Sequence, residues 1–522
     1  LASCVPTVSP PAATRTAAPS ATPVRGGTLL SPIFTEPFPL NTVLRRERAA
    51  ITVMSVLFSQ LTRIDPETKQ AAPDLASGFE VSQDGLSWVF HLQENAKWHD
   101  GADFSADDVL YTFGEVANPD NASPIRSTFA SVTGVEKIDP FTVQFTLEQP
   151  LMAFPVLLAV SQAFGMMPKH ILEGQDLLTA DSFNNEMPIG TGPFKVREIV
   201  PGSHIEMVAH EDFYRGRPYL DGVIWKIVPD ANVRVAQLRS GELHWDAVEA
   251  ASLSAVENDP NLEVVEVGTT ESNFFQLNYR EPLFQDKRLR QALIHALDRE
   301  AIMEATAGGR GQLMAGAIPP AVTFWHNDDL EPYPYDVDRA KALLAESGWQ
   351  IGPDGIHVKD GQRLSFRCTF DNVGDFKRQI SVLAQQYWRD AGIDAQIEEI
   401  DRSVYSEQVL GGTFVMTFTN RAGAQWDPDA QRIYYITDGG ANFGKYSNPK
   451  VDELLLAGAR ETDVERRRAI YREYDEVLYE DAHVIHGYFP TESRVNNRSL
   501  KGMPDLPGRD AIFYMDTWYL EQ

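Results

Sequence analysis

Cysteine is nearly absent from the 522-residue sequence, and long apolar runs do not occur. The two cysteines are Cys4 and Cys368, so the sequence predicts neither a disulfide framework nor a cysteine-based metal site. No apolar run reaches about 18 residues, and we therefore expect no membrane-spanning helix. Cys368 lies on the apolar side of the alternating residues 364–370, which indicates a thiol in the core.

Positive charge is also scarce. The sequence has 46 Lys and Arg residues against 74 Asp and Glu residues, a formal net charge of -28. A surface this negative repels the phosphate backbone, so we expect no nucleic-acid partner. The hydrophobic content of 43% and charged content of 23% are those of a globular protein. The chain length predicts about two to four domains.

The first four residues, Leu1-Ala2-Ser3-Cys4, resemble the bacterial lipobox, in which the cysteine receives the lipid. Residues 5–25 are mostly Pro, Ala, Ser and Thr, a composition that cannot bury a core and is typical of an extended tether. We therefore predict that Cys4 is lipidated and that residues 1–25 hold a soluble body at a membrane surface. The alternative is a frayed terminus with an incidental cysteine.

The first half of the sequence indicates strands and turns. Residues 78–82 and 87–92 flank the turn Gln83-Asp84-Gly85 and predict a β-hairpin. Residues 141–147 alternate as a strand, and residues 188–193 mark a break between structural units.

The second half of the sequence indicates strands that alternate with helices. Residues 287–306 carry one helical stripe, and Asp336 is predicted to cap a second helix that ends near Gly348. A strand over residues 364–370, a helix that ends before Gly392 and a strand over residues 393–397 predict an α/β lobe. The inward residues predicted for that helix are Ile380, Leu383, Ala384, Tyr387 and Trp388.

Three segments of the sequence partly match known catalytic or metal-binding motifs, but each lacks a feature that the motif requires. Residues 439–446 have the spacing of a phosphate-binding loop, but Tyr446 stands where a Ser or Thr hydroxyl is required. Ser447 and Lys450 have the Ser-x-x-Lys spacing of penicillin-recognising enzymes, yet no Lys-Thr-Gly follows. His483 and His486 are read as strand residues that point to opposite faces, which argues against a metal pair. The sequence therefore predicts no catalytic residue, cofactor or metal ion.

Several segments together resemble the family 5 extracellular solute-binding proteins of ABC importers. The matching segments are Ala72-Pro73-Asp74-Leu75-Ala76, residues 98–109 (WHDGADFSADDV), residues 189–194 (IGTGPF), Leu277-Asn278, residues 286–293 (DKRLRQAL), Ala296-Leu297-Asp298-Arg299 and residues 446–452 (YSNPKVD). They spread over nearly the whole body of the chain.

The resemblance implies an α/β fold of the periplasmic-binding-protein type (type II, large cluster C), with two lobes, a hinge and an inserted domain. The implied division is tether 1–25, lobe I over 26–56, 166–272 and 491–522, inserted domain II over 57–165, and lobe III over 273–490. A ligand that contacts both lobes only in the closed state shifts the population toward closure. The expected partners are this ligand and the permease subunits of the importer. We expect an extracytoplasmic, lipid-anchored monomer rather than an enzyme.

The resemblance also indicates which residues contact the ligand. They are Phe34, Glu36 and Phe38 of lobe I, the hinge residues Asn273, Phe274 and Phe275, and Arg421, Gln425, Trp426 and Asp427 of a third-domain loop. The pattern itself supports that loop, because it follows the apolar residues 414–418 and ligands bind beyond the carboxyl ends of strands in open α/β sheets. Trp426 is expected to form a wall of the site; the alternative is a packed Trp in a surface turn.

The ligand class stays open at this stage. Peptide binders of the family usually hold the ligand amine with an Asp three residues before Asp-Pro, a position that Ala424 occupies here; Glu36 or Asp427 could supply the carboxylate instead. An oligopeptide or peptide-like solute is the leading expectation, and an oligosaccharide is the alternative. A nickel chelate is disfavoured, because Asp429 stands where that branch tends to have His and residues 159–164 contain no Arg. A cell-wall enzyme is disfavoured for lack of catalytic residues.

Overall fold

The computed structural model describes residues 23–44, 47–160, 164–422 and 425–521. Cys4, most of the predicted tether, residues 161–163 and Ala424 lie outside the described residues. The chain divides into two compact units, which we call unit 1 (residues up to Val265 and from Ser493 onward) and unit 2 (Glu266 to Glu492). The chain crosses the boundary within two strands. The predicted lobe boundaries at 272/273 and 490/491 stay a prediction.

Strands and helices are mixed along the described chain. The strands are β1 Thr28–Ile33, β2 Thr62–Ile64, β3 Ala71–Pro73, β4 Ala76–Val81, β5 Ser87–Leu92, β6 Val132–Asp139, β7 Thr142–Leu147, β8 Phe194–Val200, β9 His204–Ala209, β10 Gly222–Ile227, β11 Trp245–Ala247, β12 Leu262–Gly268, β13 Glu271–Leu277, β14 Gly311–Leu313, β15 Gln350–Ile351, β16 His357–Lys359, β17 Gln362–Arg363, β18 Ser365–Asp371, β19 Asp394–Ile400, β20 Met416–Ala422, β21 Ile485–Asn497, β22 Leu500–Lys501 and β23 Tyr519–Leu520. The α-helices are α1 Arg48–Leu57, α2 Ala106–Ala117, α3 Phe154–Val160, α4 Lys169–Leu172, α5 Ala231–Ser240, α6 Lys287–His295, α7 Arg299–Ala307, α8 Val337–Glu346, α9 Asp375–Asp390, α10 Arg402–Gly411, α11 Arg432–Tyr435, α12 Pro449–Arg460, α13 Val464–Asp481 and α14 Gly508–Ala511.

Unit 1 contains two four-stranded sheets. The first has the order β1-β10-β9-β8, in which β1 runs parallel to β10 and the other pairs are antiparallel. The second is the antiparallel sheet β4-β5-β7-β6. The predicted hairpin is confirmed as β4 and β5, and Gly85 has the positive φ of 71° that the tight turn between them requires. The predicted strand over residues 141–147 is confirmed as β7.

Alternating aromatic and apolar residues pack the second sheet of unit 1. Phe90 of β5 and Phe145 of β7 are fully buried, and their rings meet edge to face at 5.4 Å between centroids. Helix α2 begins with a capping box. The Ser105 side chain accepts a hydrogen bond from the backbone of the first turn, and the Asp108 carboxylate accepts one from the backbone N–H of Ser105. The segment over residues 98–109, which resembles the family, therefore contains the N-terminus of helix α2.

Unit 2 contains a mixed sheet whose strands β21, β13, β20, β18 and β19 lie side by side in that order. Strands β18 and β19 are parallel and are connected by α9, which confirms the predicted strand-helix-strand pattern. Cys368 is fully buried in the core of this unit, as predicted, and burial raises the pKa of its thiol. The side chain of Asp336 caps α8, and Gly348 follows that helix with a φ of 86°.

Three local predictions for unit 2 were wrong. The stripe over residues 287–306 forms two helices, because Asp298 accepts a hydrogen bond from the backbone N–H of Ala301 and starts α7. Strand β20 extends to residue 422, so Arg421 belongs to the strand rather than to a loop. His483 and His486 do not point to opposite faces: their ring centroids lie 5.9 Å apart, because His483 precedes β21.

Neither a membrane span nor a metal cluster occurs in residues 23–44, 47–160, 164–422 and 425–521. Within them, no helix has both the length and the apolar character that crossing a membrane requires. Within them, no three His, Cys, Asp or Glu residues come together in a way that could hold a metal ion.

Candidate functional site

The unit 1 candidates follow strand β1. The half-buried ring of Phe34 lies 4.4 Å from the guanidinium carbon of Arg234. Arg234 is held in turn by Asp246, with Nε 2.7 Å from a carboxylate oxygen. This cation–π contact fixes the Phe34 ring. Glu36 is exposed and accepts a hydrogen bond from the backbone N–H of Gly202, and Phe38 is half-buried.

The hinge candidates of unit 2 lie in strand β13, and two of them are core residues. Phe274 is 1% exposed and Phe275 is 2% exposed. The Phe275 ring lies 5.0 Å from the ring of Trp388 and 5.1 Å from that of Phe418. The two neighbouring phenylalanines are both buried, because the sheet is covered on both faces at this point. Their predicted contact with a ligand has no support in these surroundings. Asn273 is also buried and lies opposite Tyr488 of β21 in the sheet.

Arg421 of β20 has a preorganised guanidinium group. Nη2 donates to Oε1 of Gln276 at 2.9 Å. The guanidinium carbon lies 4.1 Å from the ring centroid of Tyr434 and 5.3 Å from that of Phe274. In the part of the chain that the structure describes, no carboxylate oxygen lies within 4.0 Å of this guanidinium. The half-buried charge of Arg421 is therefore held by aromatic faces and a neutral amide.

The residues around Arg421 were not all predictable. Gln276 lies two residues after Phe274 in β13, so the period of a strand places both side chains on one face. The two-residue spacing of Phe274 and Gln276 can be read from the sequence, but it does not indicate which residues contact that face of the strand. Tyr434 gave no signal, because α11 is too short to show a helical pattern.

Gln425, Trp426 and Asp427 are the remaining candidates of this part of the chain. Gln425 is half-buried, Trp426 is 2% exposed and Asp427 is 3% exposed. The Asp427 carboxylate accepts hydrogen bonds from both terminal nitrogens of Arg467, each at 2.7 Å. This pairing satisfies Asp427 within the chain, so its predicted role as a ligand for an amine has no support in its contacts. Arg467 was missed, because nothing in the sequence links two residues so far apart.

Trp426→Phe tests which of the two interpretations of Trp426 is correct. The side chain is almost fully buried, which favours the packed Trp, and the wall of the ligand site stays a prediction. We expect the smaller ring to lower the free energy of unfolding by about 2 kcal/mol, because core substitutions leave unfilled space. Thermal unfolding measures the loss. Tyr335→Phe, at an exposed position, is the control. Unchanged stability with weaker ligand binding would instead favour the wall.

Comparison with known proteins identifies the class of this chain. Residues 70–443 match the family described as "Bacterial extracellular solute-binding proteins, family 5 Middle". The chain belongs to this family. It is 30% identical over 519 residues to the oligopeptide-binding protein AppA of Bacillus subtilis (strain 168), a match that covers 95% of this chain and 92% of AppA.

Solved structures agree with the family assignment. The structure of B. subtilis AppA in complex with a nonapeptide has a TM-score of 0.74 and 28% identity, and covers 96% of this chain and 100% of AppA. NikZ from Campylobacter jejuni in complex with Ni(L-His) has a TM-score of 0.75 and 27% identity, with 94% and 99% of the chains covered. The resemblance, the periplasmic-binding-protein fold class and the solute-binding role predicted from the sequence are confirmed.

Proposed function

We propose that this family 5 protein captures an oligopeptide or a peptide-like solute and delivers it to the permease of an ABC importer. The proposal is supported by the AppA relative, which is described as oligopeptide-binding and aligns with nearly the whole chain. It is supported further by the known structure of that relative with a nonapeptide. Solute capture needs no catalytic group, and we propose binding rather than enzymatic activity.

One observation favours a peptide over a neutral oligosaccharide. The guanidinium of Arg421 has no carboxylate partner within ion-pair distance among the described residues, and its donors are only partly used by Gln276. A half-buried cation of this kind gains most from an anionic ligand group, because the interaction is stronger away from bulk water. Every unmodified linear peptide carries a terminal carboxylate, whereas a neutral sugar carries no charge.

Ligand class can be determined by thermal shift. The empty protein is screened with unmodified peptides from dipeptides to nonapeptides, with neutral oligosaccharides, and with a nickel–histidine chelate. A ligand present at 100 times its Kd stabilises the folded state by about 2.7 kcal/mol. We expect stabilisation by peptides. Stabilisation by oligosaccharides or by the chelate alone would overturn the peptide assignment.

Arg421→Gln tests the role of the unpaired cation. We expect affinity for an unmodified peptide to fall by about 30-fold, or about 2 kcal/mol, because a charge-assisted hydrogen bond is lost. The C-terminally amidated peptide should bind both proteins equally weakly, and calorimetry on the four combinations gives the coupling. The control is Arg378→Gln, which removes an exposed cation of the same unit. Equal losses for free and amidated peptides would show that Arg421 does not bind the carboxylate.

We also propose that Cys4 carries a lipid anchor and that the protein acts as a monomer outside the cytoplasm. The lipobox-like tetrapeptide and the Pro-, Ala-, Ser- and Thr-rich residues after it support the anchor. Mass spectrometry of the protein from its native membrane is expected to show a diacylglyceryl-modified Cys4. An unmodified thiol at Cys4 would contradict the proposal, and light scattering on the tether-free body tests for the monomer.

A further inference from the structure

Two consecutive residues of the candidate ligand segment have left-handed backbones although neither is glycine. The angle φ is +39° at Gln425 and +70° at Trp426. In an L-residue this conformation brings Cβ close to the following carbonyl oxygen, so a bulky residue stays there only when its surroundings hold it. The Gln425–Trp426 step must therefore be fixed by the structure next to it.

The next residue, Asp427, is fixed by a buried ion pair with Arg467. Two nitrogens of the guanidinium each meet a different carboxylate oxygen at 2.7 Å. The side chains of Arg467 and Asp427 are 5% and 4% exposed. A bidentate pair fixes orientation as well as distance, because the planar groups must face each other. The backbone N–H of Asp429 also donates to Asp427 at 2.9 Å.

Arg467 is itself immobilised by helices that carry none of the predicted ligand contacts. It lies in the first turn of α13, and its Nε donates to the carbonyl oxygen of Gly458 in α12 at 2.7 Å. Its guanidinium carbon lies 4.8 Å from the Trp325 ring centroid and 5.0 Å from that of Tyr471. The two helices approach closely here, since a Cβ on Gly458 would lie 2.6 Å from the Tyr471 ring. Asp427 is thus tied to a rigid support.

We propose that Arg467 is a positioning residue for ligand recognition. By holding Asp427, it keeps the Gln425–Trp426 step in its left-handed conformation, and this step lies between Arg421 and Asp427 in the chain. A change in the step displaces the half-buried Gln425, one of the side chains that are predicted to contact the solute. The effect on binding rests on the proposed function, whereas the effect on conformation concerns the empty protein and can be measured without a ligand.

The first test observes Trp426 directly in the empty protein. All nine tryptophans are labelled as 5-fluorotryptophan, and the Trp426 resonance is assigned by its loss in Trp426→Phe. Arg467→Lys keeps the positive charge but cannot make the bidentate contact. Trp325 is perturbed directly, because its ring lies 4.8 Å from the guanidinium carbon of Arg467. We expect the Trp426 fluorine resonance to shift or broaden more than those of the remaining seven tryptophans.

A rescue distinguishes positioning from general loosening. Adding Gln425→Gly to Arg467→Lys should return the Trp426 resonance toward its original position, because glycine adopts a positive φ without steric cost. Arg466→Lys is the matched control, since Arg466 lies next to Arg467 in α13 but is exposed and pairs with Glu461. It should leave the spectrum unchanged. An unchanged Trp426 resonance in Arg467→Lys, or a failure of the glycine rescue, overturns the proposal.

The second test measures recognition. The probe is the unmodified peptide that stabilises the protein most in the thermal screen. We expect Arg467→Lys to lower its affinity per folded molecule by about tenfold or more. A shifted Trp426 resonance with unchanged affinity overturns the role in recognition. If no peptide binds the unmodified protein, the proposed function fails, and the spectrum still decides the conformational role. If Arg467→Lys does not fold cooperatively, Asp427→Asn, which keeps the shape but removes the charge, decides by the same spectrum.

Discussion

Replacing Asp475 by asparagine is expected to stabilise the protein strongly at pH 8 and to change its stability little at pH 4. Asp475 lies in α13 and is completely buried, and burial raises the pKa of its carboxyl from 3.8 to about 7. The backbone N–H groups of Ala317 and Ile318 offset part of this increase, and the nearby Glu476 adds to it. Asparagine keeps the shape of the group without a charge that must be buried.

The sign of the pH dependence follows from the raised pKa. A carboxyl whose pKa is higher in the folded state than in the unfolded state takes up protons on folding. Its contribution to stability is therefore fully present below about pH 4 and is lost as the pH rises through about 7. The difference of about three pKa units corresponds to about 4 kcal/mol. Asparagine removes this dependence.

The local geometry explains why the carboxylate cannot escape to solvent. One carboxylate oxygen of Asp475 accepts a hydrogen bond from the backbone N–H of Ala317. The backbone of Gly316 passes so close that a Cβ there would lie 2.2 Å from the other oxygen. The loop before Ala317 therefore covers the carboxyl group. The Asp475 side chain could rotate toward water only if this loop moved.

Denaturant unfolding from pH 4 to pH 8 tests this prediction. The free energy of unfolding of Asp475→Asn should exceed that of the unmodified protein by an amount that grows with pH. Asp438→Asn serves as the control, because Asp438 is 88% exposed and asparagine tolerates its positive φ. Parallel pH profiles for Asp475→Asn and the unmodified protein would show that Asp475 is not protonated in the folded state.

Periodic patterns in the sequence predicted the local structure well where packing follows the pattern. The alternation in residues 141–147 and the cap at Asp336 both correspond to elements of the structure. The break between α6 and α7 was missed, because the apolar stripe continues across it while Asp298 starts a new helix. A capping side chain within a stripe is the signal that could have indicated this break.

The candidate site was less predictable than the fold. The resemblance to the family indicates which segments contact the ligand. It does not indicate which side chains of those segments are buried in the core. Phe275 and Trp426 have the residue type of a binding wall and are buried. The contacts of Asp427 and Arg421 are made by Arg467 and Gln276, which lie far away in the sequence. Such long-range pairs leave no periodic trace in one sequence.

Removal of the Asp74 carboxylate is expected to lower the free energy of unfolding by about 3 to 5 kcal/mol, as is usual when one partner of a buried ion pair is deleted. Asp74 belongs to the family-like segment 72–76 and is 7% exposed. It accepts a hydrogen bond from the Tyr214 hydroxyl at 2.6 Å and forms an ion pair with Arg215. Arg215 also reaches both carboxylate oxygens of Asp516, at 3.0 and 3.2 Å. The network joins three distant segments of unit 1.

Asp74→Ala leaves the largely buried Arg215 with Asp516 as its remaining carboxylate partner, so we expect a loss near the lower end of that range. Asp516→Ala alone should cost a comparable amount. The double variant should cost more than either single variant, because Arg215 then has no carboxylate partner in the network, and denaturant unfolding of the three variants gives the coupling energy. Glu206→Ala is the control, since its partner Arg197 is 65% exposed and surface pairs contribute about 1 kcal/mol or less. If Asp74→Ala costs no more than Glu206→Ala, the network does not join these segments energetically, and the segment 72–76 must owe its place in unit 1 to the apolar contacts of its neighbours.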